Sequence, residues 1–331
     1  MTSNGHSSGV GGGNAPTVSV CIPMFNNAAT ITRCLDSVLS QDGVDYEVLV
    51  VDDDSTDGGV DVVARALRPG DRLIRNDTRL GLVGNHNECL EQARGRYVQF
   101  VHADDWLLPG ALQALAGELE QARGGLAFSP RQVVTEDKTF LRKCGQLHTH
   151  FRKLRERNDG KALAMQVVVN GIHHNWVGEP TCVMFRRQLA LDAGRFRDDV
   201  YQMLDLDLWL RLMIRSTVCF VPRELSARCH TTATESVRNK AIRRDWLDQL
   251  RVLASMSVDP AAPSRIRMIS RLWWFLIWPR VVVEGVALGP NRYAHLKESV
   301  TAPFSEFARA RAILARGGDV QPSTKYEGAL R

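Results

Sequence analysis

The chain has 331 residues, 44% of them apolar and 24% charged, with a formal net charge of +5. That length can bury one large core, or a main domain beside a smaller helical one, and the balance excludes a largely disordered chain. The modest positive charge suits a phosphate-bearing ligand, an anionic membrane surface or a plainly solvated basic surface, and does not choose among them.

The seven cysteines, at 21, 34, 89, 144, 182, 219 and 229, form no CxxC pair. Their scatter and odd total argue against a disulfide framework or a zinc knuckle, and for a reducing, cytoplasmic compartment. Residues 1–15 are Gly, Ser and Asn with almost nothing apolar, so a disordered leader is expected there. The run Gly9-Val10-Gly11-Gly12-Gly13 precedes the first strand instead of following one, which rules out a dinucleotide loop.

Thr17 to Pro23 is a short apolar run rich in β-branched residues, a buried strand. Ile31, Cys34, Leu35, Val38 and Leu39 then recur at the spacing of an amphipathic helix. Tyr46 to Val51 is a second strand, running into Asp52-Asp53-Asp54-Ser55. A helix over 58–67, a short strand near Arg72-Leu73-Ile74 and a helix over 81–93 follow. Tyr97 to Val101 is a further strand, ending in His102-Ala103-Asp104-Asp105. Pro109 sits where it can open a helix carrying Leu112, Leu115 and Leu119. Alternating strands and helices predict an α/β fold, a mostly parallel sheet with helices on both faces. Polar residues gather where strands end, the place at which open α/β sheets bind ligands.

The stretch from Arg131 to Arg157 is basic and gives no clear period. Thr181 to Phe185 is a strand candidate, Leu204 to Ile214 a helix, and beyond residue 240 the pattern is helical, with Trp246, Leu247, Leu250 and Leu253 in phase.

Three acidic sites carry candidate chemistry. Asp52-Asp53-Asp54 either accepts hydrogen bonds from a base or ribose, or caps the next helix. Asp104 and Asp105 are adjacent carboxylates at a strand end, which repel unless a cation or donors neutralise them. Mg²⁺ or Mn²⁺ held by one or two carboxylates plus substrate phosphates fits such a pair, and a helix cap is the alternative. Asp205 and Asp207 lie two apart on one helix, so they do not share a face and have separate jobs, or both serve the helix dipole.

Taken in order, Thr17 to Asn26, Val50 to Asp57, Gly81 to Asn87, Gly95 to Pro109 and Asp205 to Arg211 resemble the motif set of family 2 glycosyltransferases of GT-A fold. The resemblance covers about residues 17 to 236. It implies a nucleoside diphosphate sugar donor, a UDP-sugar first among them, a divalent metal, and transfer with inversion onto a hydroxyl of a carbohydrate or lipid-linked acceptor. The implied organisation is a catalytic domain over 16–235, with a nucleotide-sugar and metal half (16–110) and an acceptor half (111–235), followed by a helical extension over 236–331.

By the same resemblance Pro23, Phe25 and Asn26 contact the nucleoside, and Asp53 holds the base with Asp52 beside it. Asn85, His86 and Asn87 flank the nucleotide. Asp104 and Asp105 form the DXD-like site, one towards ribose or diphosphate and the other on the metal. Asp205 is the base, and Arg228 and His230 lie near the diphosphate, with His230 as a further metal ligand. The chain departs from the family at His102, where Asp is usual and a neutral lining residue is expected, and at Leu204, where Glu often precedes the base. Glu179, with His174 and Asn175, is then a candidate for the acceptor pocket.

Breaking a sugar–diphosphate bond builds negative charge on the leaving group, which a cation and fixed donors offset. Inversion needs one base to take the acceptor's proton. The pairs His173-His174 and His148/His150 lack partners at ligand spacing and read as polar lining. Leu272 to Trp278 is too short and interrupted to span a bilayer. With Arg265, Arg267 and Arg271 before it, the segment 265–283 is read as a core helix, a homodimer contact or a peripheral contact with the inner face of the cell membrane. A nucleotidyltransferase and a non-catalytic nucleotide-sugar scaffold are the rival functions; no nucleic acid partner is expected.

Overall fold

The computed structural model describes residues 15–230, 245–287 and 292–315. The leader expected over 1–15 lies outside them except for its last position, and so does the expected boundary at 235/236. In chain order the elements are β1 (Val18–Met24), α1 (Ile31–Leu39), β2 (Tyr46–Asp52), α2 (Gly59–Ala66), β3 (Arg72–Arg75), α3 (Gly81–Gln92), β4 (Tyr97–Phe100), β5 (Trp106–Leu107) and α4 (Ala111–Ala122). Then come β6 (Leu126–Phe128), β7 (Arg131–Val134), α5 (Lys138–Cys144), β8 (Arg157–Asp159), α6 (Gly160–Val169), β9 (Val183–Arg186), α7 (Arg187–Asp192) and α8 (Leu204–Met213). The chain continues through β10 (Thr217–Phe220), β11 (Ser226–Cys229), α9 (Asp248–Val258), α10 (Ser264–Ala287) and α11 (Arg292–Ala315).

Eight strands form one sheet in the order β3-β2-β1-β4-β9-β6-β10-β8, and β5-β11-β7 form a small second one. β1 pairs in parallel with both β2 and β4, β2 with β3, and β6 with β10, whereas β9 and β8 run antiparallel to their neighbours. The fold is thus the expected mostly parallel sheet flanked by helices.

Strand alternation divides the core. Val18, Val20, Ile22 and Met24 of β1, with Val48 and Val50 of β2, join a cluster that includes α1 and α4. Cys21, Leu49 and Val51 point the other way, into a cluster shared with α3, α6, α8 and the C-terminal helices. A period of two therefore feeds two cores from the same strands. One close approach fixes a residue type: a Cβ on Gly95 would lie 2.4 Å from the backbone nitrogen of Ser19, so only glycine fits where α3 turns into β4.

Two local expectations change. Pro109 does not open α4; Trp106-Leu107 pairs with β11, and the chain needs the turn at Leu108–Gly110, with Gly110 at φ 74°, before the helix can begin. The strand expected over 181–185 begins only at Val183, because Pro180–Cys182 form a 3-10 turn. The aromatic run proves two-sided. Trp274 is fully buried and Ile277 nearly so, packed with Phe307 of α11, while Leu272, Phe275 and Leu276 on the same helix are more than half exposed. Among the described residues no helix is long and apolar enough to cross a membrane.

Candidate active site

β1, β2 and β4 all end on one side of the sheet, and antiparallel β9 begins there, so Met24, Asp52, His102 and Thr181 meet at that rim. His102 N–H lies 3.3 Å from Thr181 Oγ1, which ties the end of β4 to the turn before β9.

The nucleotide-side loops are already heavily bonded. Asn26, at φ 53°, donates its N–H to Ser55 Oγ and accepts from Thr56 N–H through Oδ1. The guanidinium of Arg79 lies 3.8 Å from the centre of the Phe25 ring, a cation–π contact. Asp53 accepts from the backbone N–H of Leu80 at 2.7 Å and of Gly81 at 2.9 Å, and from Asn76 Nδ2. Its carboxylate thus caps α3. Asp52 beside it is fully buried; its Oδ2 accepts from Ser55 N–H and lies 3.5 Å from Arg75 Nε, and its Oδ1 has no hydrogen-bond partner among the described residues. Asn85 donates to Val51 O and accepts from Asn76, and Asn87 both donates to and accepts from the backbone of Phe196. These asparagines buckle α3 to the rest of the fold.

At the end of β4, Asp104 is half-buried and takes no side-chain hydrogen bond from any described residue. Asp105 is buried, accepting from the Thr181 hydroxyl at 2.7 Å and from Cys229 N–H at 2.9 Å. Burial, and next the charge of Asp104, push the Asp105 carboxyl up to about 7. The Cys229 contact brings β11, and with it Arg228 and His230, to the acidic pair. Both side chains pack on Phe140 of α5: His230 stacks at 3.7 Å, and the Arg228 guanidinium sits 5.3 Å from the ring centre.

His102 and His86 form a linked pair, Nε2 to Nε2, at 3.2 Å. His86 Nδ1 lies 2.8 Å from Leu82 O; a carbonyl only accepts, so Nδ1 carries the proton and Nε2 does not. His102 must then donate from Nε2, leaving its bare Nδ1 towards Asp105, 3.8 Å away. Burial keeps His86 neutral, lowering it to about 3, and lowers His102 too.

On the far side, α8 presents Asp205 and Asp207 in its first turn. Asp207 is fully buried, gripped by Arg211 through Nε at 2.9 Å and Nη2 at 2.6 Å, with Arg197 at 3.4 Å. Asp205 is half-buried with no hydrogen bond from any described residue, and burial alone pushes it up to about 7. Burial pushes the Cys182 thiol up to about 12; Arg131 opposes the shift, and the charges of Asp105 and Asp205 add to it.

Other expected acceptor residues are engaged elsewhere. Glu179 forms a bidentate pair with Arg131, at 2.7 and 3.2 Å, and also binds Arg228. Asn175 closes its own turn, accepting from Val177 and Gly178 N–H and donating to Gly178 O. His174 is exposed. Trp209 of α8 also donates to Gly178 O at 3.0 Å, which pins this turn to the helix that carries Asp205. A Cβ at Gly178, φ 117°, would strike Cys182 Sγ. Thr181, Phe140 and Arg131 were not singled out by the sequence, since their partners lie tens of residues away.

Among the described residues no three His, Cys, Asp or Glu side chains converge into a ready-made metal site. The acidic pair nevertheless suits a hard cation completed by ligand phosphates. One carboxylate takes no hydrogen bond from any described residue, the other is buried, and burial, with the charge of its neighbour next, raises Asp105.

The profile of glycosyl transferase family 2 matches residues 19–191. An uncharacterised Mycobacterium tuberculosis protein, MT1568, is 57% identical over 299 residues, covering 90% of this chain and 94% of that one. Residues 1–349 of TarS from S. aureus, in complex with UDP-GlcNAc, superpose with a TM-score of 0.65 at 15% identity, covering 91% of this chain and 89% of that one. A mannosyltransferase from Pyrobaculum calidifontis, in complex with GDP-Man and Mn²⁺, gives 0.55 at 19% identity, with 92% and 86% covered. With the rim of the sheet arranged as above and the profile spanning more than half of the sequence, the chain belongs to glycosyl transferase family 2 and is a glycosyltransferase of GT-A fold.

Proposed function

We propose that the chain transfers a sugar, with inversion, from a nucleoside diphosphate sugar to an acceptor hydroxyl, with residues 16–235 as the catalytic unit and 236–331 as a helical extension. The observation that carries the reading is Asp205. It is a carboxylate without a hydrogen-bond partner among the described residues, poised by burial at about 7 at the start of α8. A base must be unpaired to take a proton and tuned near the working pH to do so efficiently. Asp205 would accept the proton of the acceptor hydroxyl as that oxygen attacks the anomeric carbon. The diphosphate leaves on the side of Asp104, Asp105, Arg228 and His230, where Arg228 offsets its growing charge.

Asp104 and Asp105, with His230 nearby, would hold Mg²⁺ or Mn²⁺ against the diphosphate. That cation would act as a Lewis acid on the leaving oxygens. The bound Mn²⁺ of the Pyrobaculum mannosyltransferase supports this assignment. Asp52 takes the base-binding role first expected of Asp53. Its buried Oδ1 lacks a donor, and a base N–H supplies one, whereas Asp53 is spent on α3. Pro23, Phe25 and Asn26 line the same nucleoside side, and Asn85 and Asn87 act by fixing α3. A UDP-sugar is the favoured donor, as TarS binds UDP-GlcNAc and superposes with the higher score. The unpaired thiols fit a cytoplasmic reaction.

The test is a panel of UDP-, GDP- and dTDP-sugars with Mn²⁺ or EDTA, following thermal shift and product. Metal-dependent stabilisation by one nucleotide class, with release of its nucleoside diphosphate, is expected. Release of pyrophosphate instead would mark a nucleotidyltransferase, and donor binding that Asp205→Asn leaves productive would remove Asp205 from the mechanism.

A further inference from the structure

The C-terminal helices carry an apolar face that no described residue covers. On α10, Met268, Leu272, Phe275, Leu276 and Val283 are 54–64% exposed. Their spacing of three, four and seven residues puts them on one side of the helix, while Ile266, Trp274, Ile277 and Val281 fill the core on the other. On α11, Tyr293, Val300 and Phe304 are exposed at 84, 53 and 82%. Phe307, three and seven residues beyond Phe304 and Val300, stacks on Phe275 with centroids 6.3 Å apart, so the two stripes adjoin. A patch of this kind marks an interaction surface.

Beside Met268 lies a depression of about 440 Å³ lined by Arg267, Arg271 and Arg311 with Ser257, Val258 and Ser264. No acid lines it, and among the described residues none of these three arginines has a carboxylate partner. Arg265, also exposed, stands one turn ahead of Met268. Arg271 donates weakly to Ser257 O at 3.5 Å, but guanidinium groups without a carboxylate converging on a depression call for an anion, and their position at the border of an apolar stripe calls for one attached to hydrocarbon.

We infer that α10 and α11 seat the protein on the surface of an anionic phospholipid bilayer. The exposed apolar stripe enters the acyl boundary, and Arg267, Arg271 and Arg311 grip a lipid phosphate. This is in-plane binding, in keeping with helices that cannot cross a membrane. Each arginine at an anionic surface is worth about fivefold in partitioning, so three amount to roughly a hundredfold.

Co-sedimentation of the full chain with phosphatidylglycerol-containing vesicles, against pure phosphatidylcholine vesicles, tests the inference. Strong binding to the first, falling with added salt, is expected, with roughly a hundredfold loss in Arg267→Gln/Arg271→Gln/Arg311→Gln. Leu272→Ser/Leu276→Ser should weaken binding to both vesicle types while the melting temperature stays put, because both side chains are exposed. Failure to bind any vesicle overturns the inference. So does thermal stabilisation by inorganic phosphate without vesicle binding, which would mark a soluble-anion pocket. A dimer in velocity sedimentation that Leu272→Ser/Leu276→Ser dissociates, with no vesicle binding, would overturn it in favour of a second copy. None of these readouts depends on sugar transfer, so donor turnover stands or falls separately.

Discussion

Asp205 and Asp207 share the first turn of α8, yet their surroundings are opposites. Asp207 is enclosed and bonded by two guanidinium groups; Asp205, rotated about 200° around the helix by its two-residue offset, meets no donor. The same contrast recurs across the rim of the sheet. Asp53 is saturated by the helix it caps, and its neighbour Asp52 keeps one buried oxygen unpaired. In each pair one carboxylate builds the scaffold and the other is left with bonding capacity. A buried polar atom without a partner is costly, so such an atom is a better pointer to ligand chemistry than the mere presence of an acid.

That contrast can be broken by substitution. Asp205→Asn should lower kcat by about 10²–10⁴-fold and leave the melting temperature and donor affinity close to wild type; equal losses of stability and rate would make it structural. Asp207→Asn should do the reverse. It leaves Arg211 buried against a neutral amide, while Arg197 keeps its two bonds to Asp199, and should cost roughly 3–5 kcal/mol in urea unfolding. Asp53→Ala removes the acceptor for the Leu80 and Gly81 N–H groups and should cost about 1–3 kcal/mol. A loss of donor affinity without that destabilisation would return the base to Asp53.

The pH dependence sharpens the same point. Burial raises the Asp205 carboxyl to about 7, so the basic form is present above that value and is lost below it. With donor saturating, kcat should fall about tenfold per unit as pH drops below about 7, and the Asp205→Asn variant should lose that limb.

Long periodic elements were legible from the sequence: the runs that became β1, α1, β2 and α8 carry their patterns within a few residues. The short strands β5, β7 and β8 were not, because two to four residues hold no measurable period and their pairing partners lie far along the chain. The candidate site divides the same way. Acidic residues at strand ends announce themselves, but which of each pair is already bonded depends on Arg197, Thr181 or the N-terminus of α3, and no local pattern reports those contacts. Glu179 shows the cost of that blindness. It was expected beside an acceptor, and it holds two arginines, both nearly fifty residues away.

The order of strands in the main sheet bears on how copies of the chain behave together. Its edges are β3, reading Arg-Leu-Ile-Arg, and β8, reading Arg-Asn-Asp. Each is short, and each sets two formal charges along the row of open backbone groups that another strand would have to join. Apolar strands such as β1, β4 and β6 are all interior. Charged, brief edges discourage the edge-to-edge pairing through which exposed sheets grow into aggregates. A concentrated solution of this protein should accordingly resist β-type fibrillation through the edges of this sheet.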